Sequence, residues 1–265
     1  MILNDILGRK RKEIEELKRR IPLPKIKRMI SESRVPKRSL YKVLSNTRKL
    51  NLICELKKAS PSEGLLREHF QPAELAQNFE AAGASAISVL TEQNYFQGNP
   101  ETLKQIRPMT TVPLLRKDFI LDPYQIYETT LLEADAVLLI VTILTDSQLK
   151  RMLLLARELD LEVLVEVHTE EELNRALGAG ARMVGLNNRN LKTLKIDRSV
   201  SEDLIHLVPK GTVVVIESGI ETREEIAHYQ TLGANSFLIG TALMKSTDVK
   251  RKILELMGQP NGVAQ

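Results

Sequence analysis

An α/β fold, an eight-stranded (β/α)8 barrel with an N-terminal helical extension, is what the sequence predicts, and three observations predict it. From residue 51 onward, short β-branched and leucine-rich runs alternate with helical segments, the texture of a parallel sheet built from βα units. Eight such runs are present, at 51–57, 86–91, 112–119, 136–144, 162–168, 183–188, 212–218 and 236–240, and eight is the number that closes a barrel. A loose repeat links helix to strand: Ala82-Gly-Ala-Ser-Ala86, Leu132-Glu-Ala-Asp-Ala136, Leu177-Gly-Ala-Gly-Ala181 and Leu232-Gly-Ala-Asn235. Small residues suit that tight turn. A doubly wound open sheet usually carries GxGxxG after its first strand, and none stands there. The length of 265 residues fits one such barrel of about 250.

Residues 1–50 read as a helical extension packed on the barrel, and 51–265 as the catalytic barrel. Leu3, Leu7, Ile14, Leu17 and Ile21 recur at helical spacing until Pro22 and Pro24 end the first helix. A second short helix is expected over 25–33, and Val35-Pro-Lys-Arg-Ser39 reads as linker. The extension holds 16 Lys/Arg against 5 Asp/Glu, whereas the rest holds 22 against 29. Such a basic arm suits a solvated helix face, and its charge can help draw in an anionic ester. The apolar run at 136–144 is too short to cross a bilayer, which takes about 20 residues. Cys54 has no disulfide partner, and the start Met1-Ile-Leu-Asn-Asp5 lacks a signal peptide's apolar stretch, so a cytoplasmic protein is expected.

Side-chain alternation sorts the charges. In a barrel strand every second residue points inward, and the others face the helices and should be apolar. In Val163-Leu-Val-Glu-Val-His168 the valines share one face, leaving Leu164, Glu166 and His168 inside. By the same parity Cys54 and Leu56 face helices, whereas Glu55, Lys57, Leu115, Lys117, Phe119 and Glu217 point in. Four strands thus put charges at one C-terminal level. Buried ions persist only when they pair or meet a ligand, and this end of a barrel is where activity resides. Lys57 and Lys117 are expected close enough for one to titrate below the usual lysine value of about 10.4.

An anion site is expected beside them. Glu217-Ser-Gly-Ile220 ends the seventh strand and Ile239-Gly-Thr-Ala242 the eighth, each leading to a helix. Glycine lets backbone N–H groups approach a phosphate there. Arg189, just past strand six, adds a charge.

These residues resemble indole-3-glycerol phosphate synthase, a barrel enzyme of tryptophan biosynthesis, over nearly the whole chain. The resemblance is carried by Glu55-Leu-Lys-Lys-Ala-Ser-Pro-Ser62, Ser88-Val-Leu-Thr-Glu92 with Tyr95-Phe-Gln-Gly98, Lys117-Asp-Phe-Ile120, Glu166, Asn187-Asn-Arg189, Glu217-Ser-Gly-Ile220 and Ile239-Gly-Thr-Ala-Leu-Met244. It implies ring closure of 1-(2-carboxyphenylamino)-1-deoxyribulose 5-phosphate with loss of carbon dioxide and water. It implies Lys117 as acid at the ketone oxygen, Glu166 as base, and Lys57 as second acid or carboxylate partner. Glu55 and Glu217 would hold the lysines and the departing hydroxyl, and Asn187 the glycerol chain. Ser218, Gly219, Gly240 and Thr241 would bind phosphate, with Ser60 and Arg189 nearby, and Phe96, Phe119 and Leu138 would line a slot for the anthranilate ring.

The sequence departs from the family pattern at three positions. Glu63 stands where the first loop commonly reads lysine, Asn190 where aspartate is usual, and Thr241 for a frequent serine whose hydroxyl it keeps. Some relatives are fused to a second barrel, but this chain stops near the eighth helix, so one activity is expected. His69, His168, His206 and His228 show no ligand spacing, so no metal and no cofactor is expected. The expected partner is a phosphorylated small molecule, with no nucleic acid and no membrane, and the chain is expected to be a monomer or at most a weak homodimer. Another phosphosugar barrel enzyme would give no reason for inward Lys57, Lys117 and Glu166 together. A nucleic-acid scaffold would require steeply salt-dependent affinity and leaves the same residues unexplained.

Overall fold

A computed structural model describes residues 2–32 and 35–259. Eight parallel strands, β1 (Asn51–Leu56), β2 (Ala86–Leu90), β3 (Leu114–Lys117), β4 (Ala136–Ile140), β5 (Glu162–Val167), β6 (Met183–Asn187), β7 (Val213–Glu217) and β8 (Ser236–Ile239), follow one another around a closed barrel, with β8 beside β1. Three helices precede the barrel: α1 (Ile2–Arg20), α2 (Leu23–Glu32) and α3 (Leu40–Leu44). The others are α4 (Pro72–Ala81), α5 (Thr102–Ile106), α6 (Pro123–Leu131), α7 (Asp146–Glu158), α8 (Glu170–Gly178), α9 (Ser199–Ile205), α10 (Arg223–Thr231), α11 (Thr241–Lys245) and α12 (Val249–Leu256).

The alternation of side chains divides the core in two. Leu52, Cys54, Leu56, Val165, Val167 and Ile216 join the layer between strands and helices, whereas Ile53, Leu115, Leu138, Leu164, Val215 and Leu238 fill the barrel itself. Arg116 breaks the expected rule, because it is a charge on the helix-facing side of β3. It is buried there with Glu128 at 2.8 Å, Asp118 at 3.3 Å and the Thr129 hydroxyl at 3.1 Å. Those partners offset the desolvation that the parity argument counted against it.

Every strand ends earlier than the sequence pattern suggests, six by one residue and two, β3 and β4, by more, for local reasons. Pro113 has no N–H to donate, so β3 begins at Leu114, and the Asp118 carboxylate takes the Phe119 N–H at 2.8 Å just past its end. The run 136–144 is a strand only to Ile140 and then winds into a 3-10 turn, Val141–Ile143. The expected helix 25–33 begins at Leu23, with Pro24 in the first turn, where a missing N–H costs little. Its expected last residue, Ser33, lies outside the described residues. A short hairpin, Ala59–Ser60 with Gly64–Leu65, sits in the loop after β1.

The helix-to-strand links share one conformation. Gly83, Gly180 and Gly233 take positive φ of 95°, 91° and 99°. The following residue donates back into the helix each time, for example Ala84 N–H to the Phe79 carbonyl at 2.9 Å. Glu133 occupies the same position with φ 64°, so there the turn is imposed on a residue that prefers φ below zero.

The extension grips both ends of the barrel. At the C-terminal mouth, the buried Lys10 ammonium meets Asp118 at 3.0 Å and Glu13 at 2.8 Å, and the Arg9 guanidinium lies over the Tyr95 ring. Near the opposite end, Arg38 N–H donates to Asp135 at 2.8 Å and the Ser39 hydroxyl to Glu162 at 2.7 Å. Leu40 and Leu44 then pack into the barrel core.

Candidate functional site

Four strand ends bring their charges together. Lys117 Nζ, at the end of β3, lies 2.5 Å from Glu217 Oε2, 3.8 Å from Glu55 Oε2 and 3.9 Å from Glu166 Oε2. Lys57 Nζ, one residue beyond β1, is 3.0 Å from Glu55 Oε1. The three carboxylates are buried, and one oxygen of each has no hydrogen-bond partner: Glu55 Oε2, Glu166 Oε1 and Glu217 Oε1. Two glycines make the room. A Cβ at Gly185 would stand 2.0 Å from Glu217 Oε1, and one at Gly240 would stand 2.3 Å from Glu55 Oε1. A side chain on β6 at 185 or after β8 at 240 would therefore force the carboxylate of the neighbouring strand, Glu217 on β7 or Glu55 on β1, to shift.

The electrostatics differ from the sequence expectation. Repulsion between Lys57 and Lys117 is expected to depress a lysine, but Lys117 titrates above its ordinary value. Burial disfavours its ammonium, and the carboxylates of Glu217, Glu55 and Glu166 together outweigh that burial. Burial pushes Glu217 up to about 7, against the pull of Lys117 and with added repulsion from Glu166 and Glu55. Burial and the shortage of cations act together here. Three carboxylates crowd one ammonium, so Lys117 keeps its proton and Glu217 holds the next one.

A stability test follows from the raised Glu217 value. The folded chain holds a proton there that the unfolded chain releases, so stability is fullest below the ordinary carboxylate value and falls as pH rises through about 7. Glu217→Gln removes that loss. In thermal unfolding the variant should melt above the wild type at pH 8, with the gap closing towards pH 4. A gap of the opposite sign at pH 8 would refute this assignment.

The cavity above the cluster is lined by most of the expected residues. Glu55, Lys57, Lys117, Glu166 and Asn187 form its floor, and Ser218, Gly219, Gly240 and Thr241 one wall. Phe96, Phe119 and Leu138 also line it, with the two phenyl centroids 6.3 Å apart. Ser218 and Gly219 both take positive φ, 67° and 77°. In Ser218 this is a strained conformation of the kind found at functional sites.

Surrounding side chains hold the lining in place. The buried Glu92 carboxylate accepts three backbone N–H groups, from Asn94, Tyr95 and Phe96, at 3.0, 2.7 and 3.0 Å, and so fixes the loop that carries Phe96. Gly98 closes that loop, since a Cβ there would lie 2.3 Å from the Leu90 carbonyl oxygen. Asn187 Oδ1 accepts the Arg189 N–H at 2.9 Å, and Arg189 donates to the Ser62 hydroxyl at 3.1 Å.

Three expected inward or site residues, Glu217, Ser60 and His168, stand outside the lining. Glu217 is fully buried against Lys117. Ser60 is buried in the first strand of the hairpin, its hydroxyl 3.4 Å from that of Ser62. His168 lies just beyond β5, beside Glu166 rather than in the cavity wall. The apolar lining by Leu191 and Ile196, from the loop after β6, is not among the sequence expectations. Its signal is the three apolar residues, Leu191, Leu194 and Ile196, in an otherwise polar stretch. Two departures from the family pattern find partners. Glu63 meets Lys245 at 2.7 Å, tying the hairpin to α11. Asn190 Oδ1 accepts the N–H groups of Lys192 and Thr193 at 2.9 and 3.0 Å, a task an amide oxygen performs as an aspartate would. Among the described residues, no group of three or more His, Cys, Asp or Glu side chains could hold a metal ion. No helix among them is long and apolar enough to cross a membrane.

Residues 3–256 match the family described as indole-3-glycerol phosphate synthase. A protein of that name from Dehalococcoides mccartyi is 45% identical over 260 residues, covering 97% of this chain and all of the relative. Another of that name from Campylobacter hominis is 40% identical with the same coverage. Among solved structures, KGPDC from Streptococcus mutans superposes with a TM-score of 0.60 at 14% identity, over 81% of this chain and 100% of that one. The 3-hexulose-6-phosphate synthase of Salmonella typhimurium gives 0.60 at 14%, over 80% and 99%. At such identities these two show the TIM-barrel fold alone.

Proposed function

Because the chain belongs to the indole-3-glycerol phosphate synthase family, we propose that its two lysines and Glu166 divide the proton transfers of that reaction. The activity is that of a carboxy-lyase in tryptophan biosynthesis. It closes the pyrrole ring of 1-(2-carboxyphenylamino)-1-deoxyribulose 5-phosphate, with loss of carbon dioxide and water. The observation that carries the division of labour is one ammonium among three buried carboxylates, Lys117 with Glu217, Glu55 and Glu166 at 2.5, 3.8 and 3.9 Å.

Ring closure needs the ketone carbon to become electrophilic while its oxygen gains charge. Lys117 is held charged in a site largely closed to water, so it meets that oxygen as a strong donor. Lys57, in the cavity floor beside Glu55, faces the substrate carboxylate until it leaves as carbon dioxide, and serves as second acid for the departing hydroxyl. Rearomatisation then requires removal of a proton. Glu166 takes it through Oε2, since its carboxylate lines the cavity and Lys117 approaches that oxygen no closer than 3.9 Å. Glu55 and Glu217 hold the lysines and the hydroxyl, and Asn187 orients the glycerol chain. The ester phosphate lies against Ser218, Gly219, Gly240 and Thr241, with Arg189 nearby and Ser60 buried in the hairpin. Phe96, Phe119 and Leu138 hold the aromatic ring.

Residues 1–50 act as an extension serving the catalytic barrel of 51–265. The protein works as a cytoplasmic monomer without a nucleic-acid partner. Glu166→Gln is the test of the base. It should lower kcat by about 10²–10⁴-fold, the usual worth of a positioned base, and leave KM within a few-fold. Wild-type kcat in that variant would remove Glu166 from the role.

A further inference from the structure

His168 has no part in the roles above, yet it touches the base. Its Nε2 stands 2.9 Å from the Arg189 carbonyl oxygen and 3.6 Å from Glu166 Oε1, the oxygen that no hydrogen bond satisfies. On its other side, Nδ1 lies 3.5 Å from Glu172 Oε2 and 3.5 Å from the Thr142 hydroxyl. Glu172 is itself fixed, because it accepts the His168 backbone N–H at 2.7 Å and the Thr142 hydroxyl at 2.7 Å. The ring thus joins the end of β5, the first turn of α8 and the loop after β6.

We propose that His168, braced by Glu172, is a positioning residue that fixes the free oxygen of Glu166 and the Arg189 loop as one unit. This rests on Glu166 being the base. The carbonyl of Arg189 can only accept, so Nε2 carries a hydrogen, and that hydrogen also faces Glu166. Nδ1 faces a carboxylate, which favours a second proton on the ring. Burial works against the charge, but the Glu172 hydrogen bond and the carboxylates of Glu166 and Glu172 outweigh it, and His168 titrates above its ordinary value. The groups facing the ring are Glu166 from β5, Glu172 from α8, the un-ionisable Thr142 from the 3-10 turn, and Arg189 from the loop. The Arg189 guanidinium is turned away towards Ser62 and the Leu194 carbonyl. Lys117 lies beyond Glu166.

While the ring is charged, its attraction across 3.6 Å holds Glu166 Oε1 in place, the Nε2–H itself being donated to the Arg189 carbonyl. As pH rises and the ring loses a proton, that hold weakens and kcat falls. The test compares kcat–pH profiles of the full chain and three variants on the carboxyphenylamino substrate, with thermal melts to confirm folding. His168→Ala should lower kcat by about 10–100-fold, the scale of a base left loosely placed. His168→Gln keeps an N–H for the Arg189 carbonyl but carries no charge, so it should run at the reduced kcat of the uncharged ring at every pH and lose the basic limb. Glu172→Gln should move that limb to lower pH, since it removes the carboxylate that favours the charged ring. A His168→Ala profile superimposable on the wild type, or a limb unmoved in Glu172→Gln, would overturn the proposal. Glu166→Gln separates the two readings. If it is inactive while His168→Ala behaves as wild type, only the role of His168 fails. If it is fully active, the base assignment fails first.

Discussion

Lys117→Ala should lose about 10³–10⁴-fold in kcat and still fold. The lower part of that range is what a positioned acid contributes, and loss of the charge that stabilises the developing oxyanion adds to it. Removal of the ammonium also strands Glu217 and Glu166, for which Lys117 is the salt-bridge partner, apart from the His168 contact to Glu166. Breaking a buried pair by deleting one partner costs about 3–5 kcal/mol, within the total stability of an ordinary domain. The stranded carboxylates recover part of this by taking up protons. The variant should therefore be most destabilised above pH 7 and approach the wild type near pH 5, whereas the loss of kcat persists at every pH. Circular dichroism melts alongside turnover measurements check both halves. Wild-type turnover in a folded Lys117→Ala protein would refute the role of Lys117.

Gly185→Ala should be nearly as damaging, although it adds one methyl group and touches no expected catalytic residue in sequence. That methyl would stand 2.0 Å from Glu217 Oε1, so the carboxylate must swing off Lys117. Misplacing a catalytic group by about 1 Å can cost about 10²-fold in rate, and overpacking a filled interior costs about 1–3 kcal/mol. The expected result is a kcat lower by about 10²-fold with a modest fall in melting temperature. Activity equal to wild type would mean that the Lys117–Glu217 contact does not govern the rate.

Much of this was legible in the sequence because two of its signals are periodic. The three valines at 163, 165 and 167 fix the facing of β5, and with it the inward position of Glu166. Runs of five to nine residues separated by amphipathic segments point to the barrel. Less legible were features in which one residue's environment is supplied by a distant segment. Arg116 looks wrong for a helix-facing position until Glu128, Asp118 and Thr129 are seen around it. The nearness of two lysines points to a lowered value for one of them, but the raised value of Lys117 depends on carboxylates from β1, β5 and β7 that only barrel closure brings around it. Gly185 carries no motif at all, because its requirement comes from the Glu217 side chain on the neighbouring strand β7. The end of β3 was drawn too late for a local reason, the capture of the Phe119 N–H by Asp118. Ser60 is expected near the phosphate only through the resemblance, and its burial in the hairpin, with its hydroxyl 3.4 Å from that of Ser62, has no local signal in the sequence.

The most direct measurement supplies the wild-type chain with 1-(2-carboxyphenylamino)-1-deoxyribulose 5-phosphate and follows indole fluorescence and released carbon dioxide together. One carbon dioxide should appear for each indole-3-glycerol phosphate formed, and the same assay with Lys117→Ala should show neither. A folded wild-type protein that forms no indole product, or that releases carbon dioxide without forming it, would contradict the account.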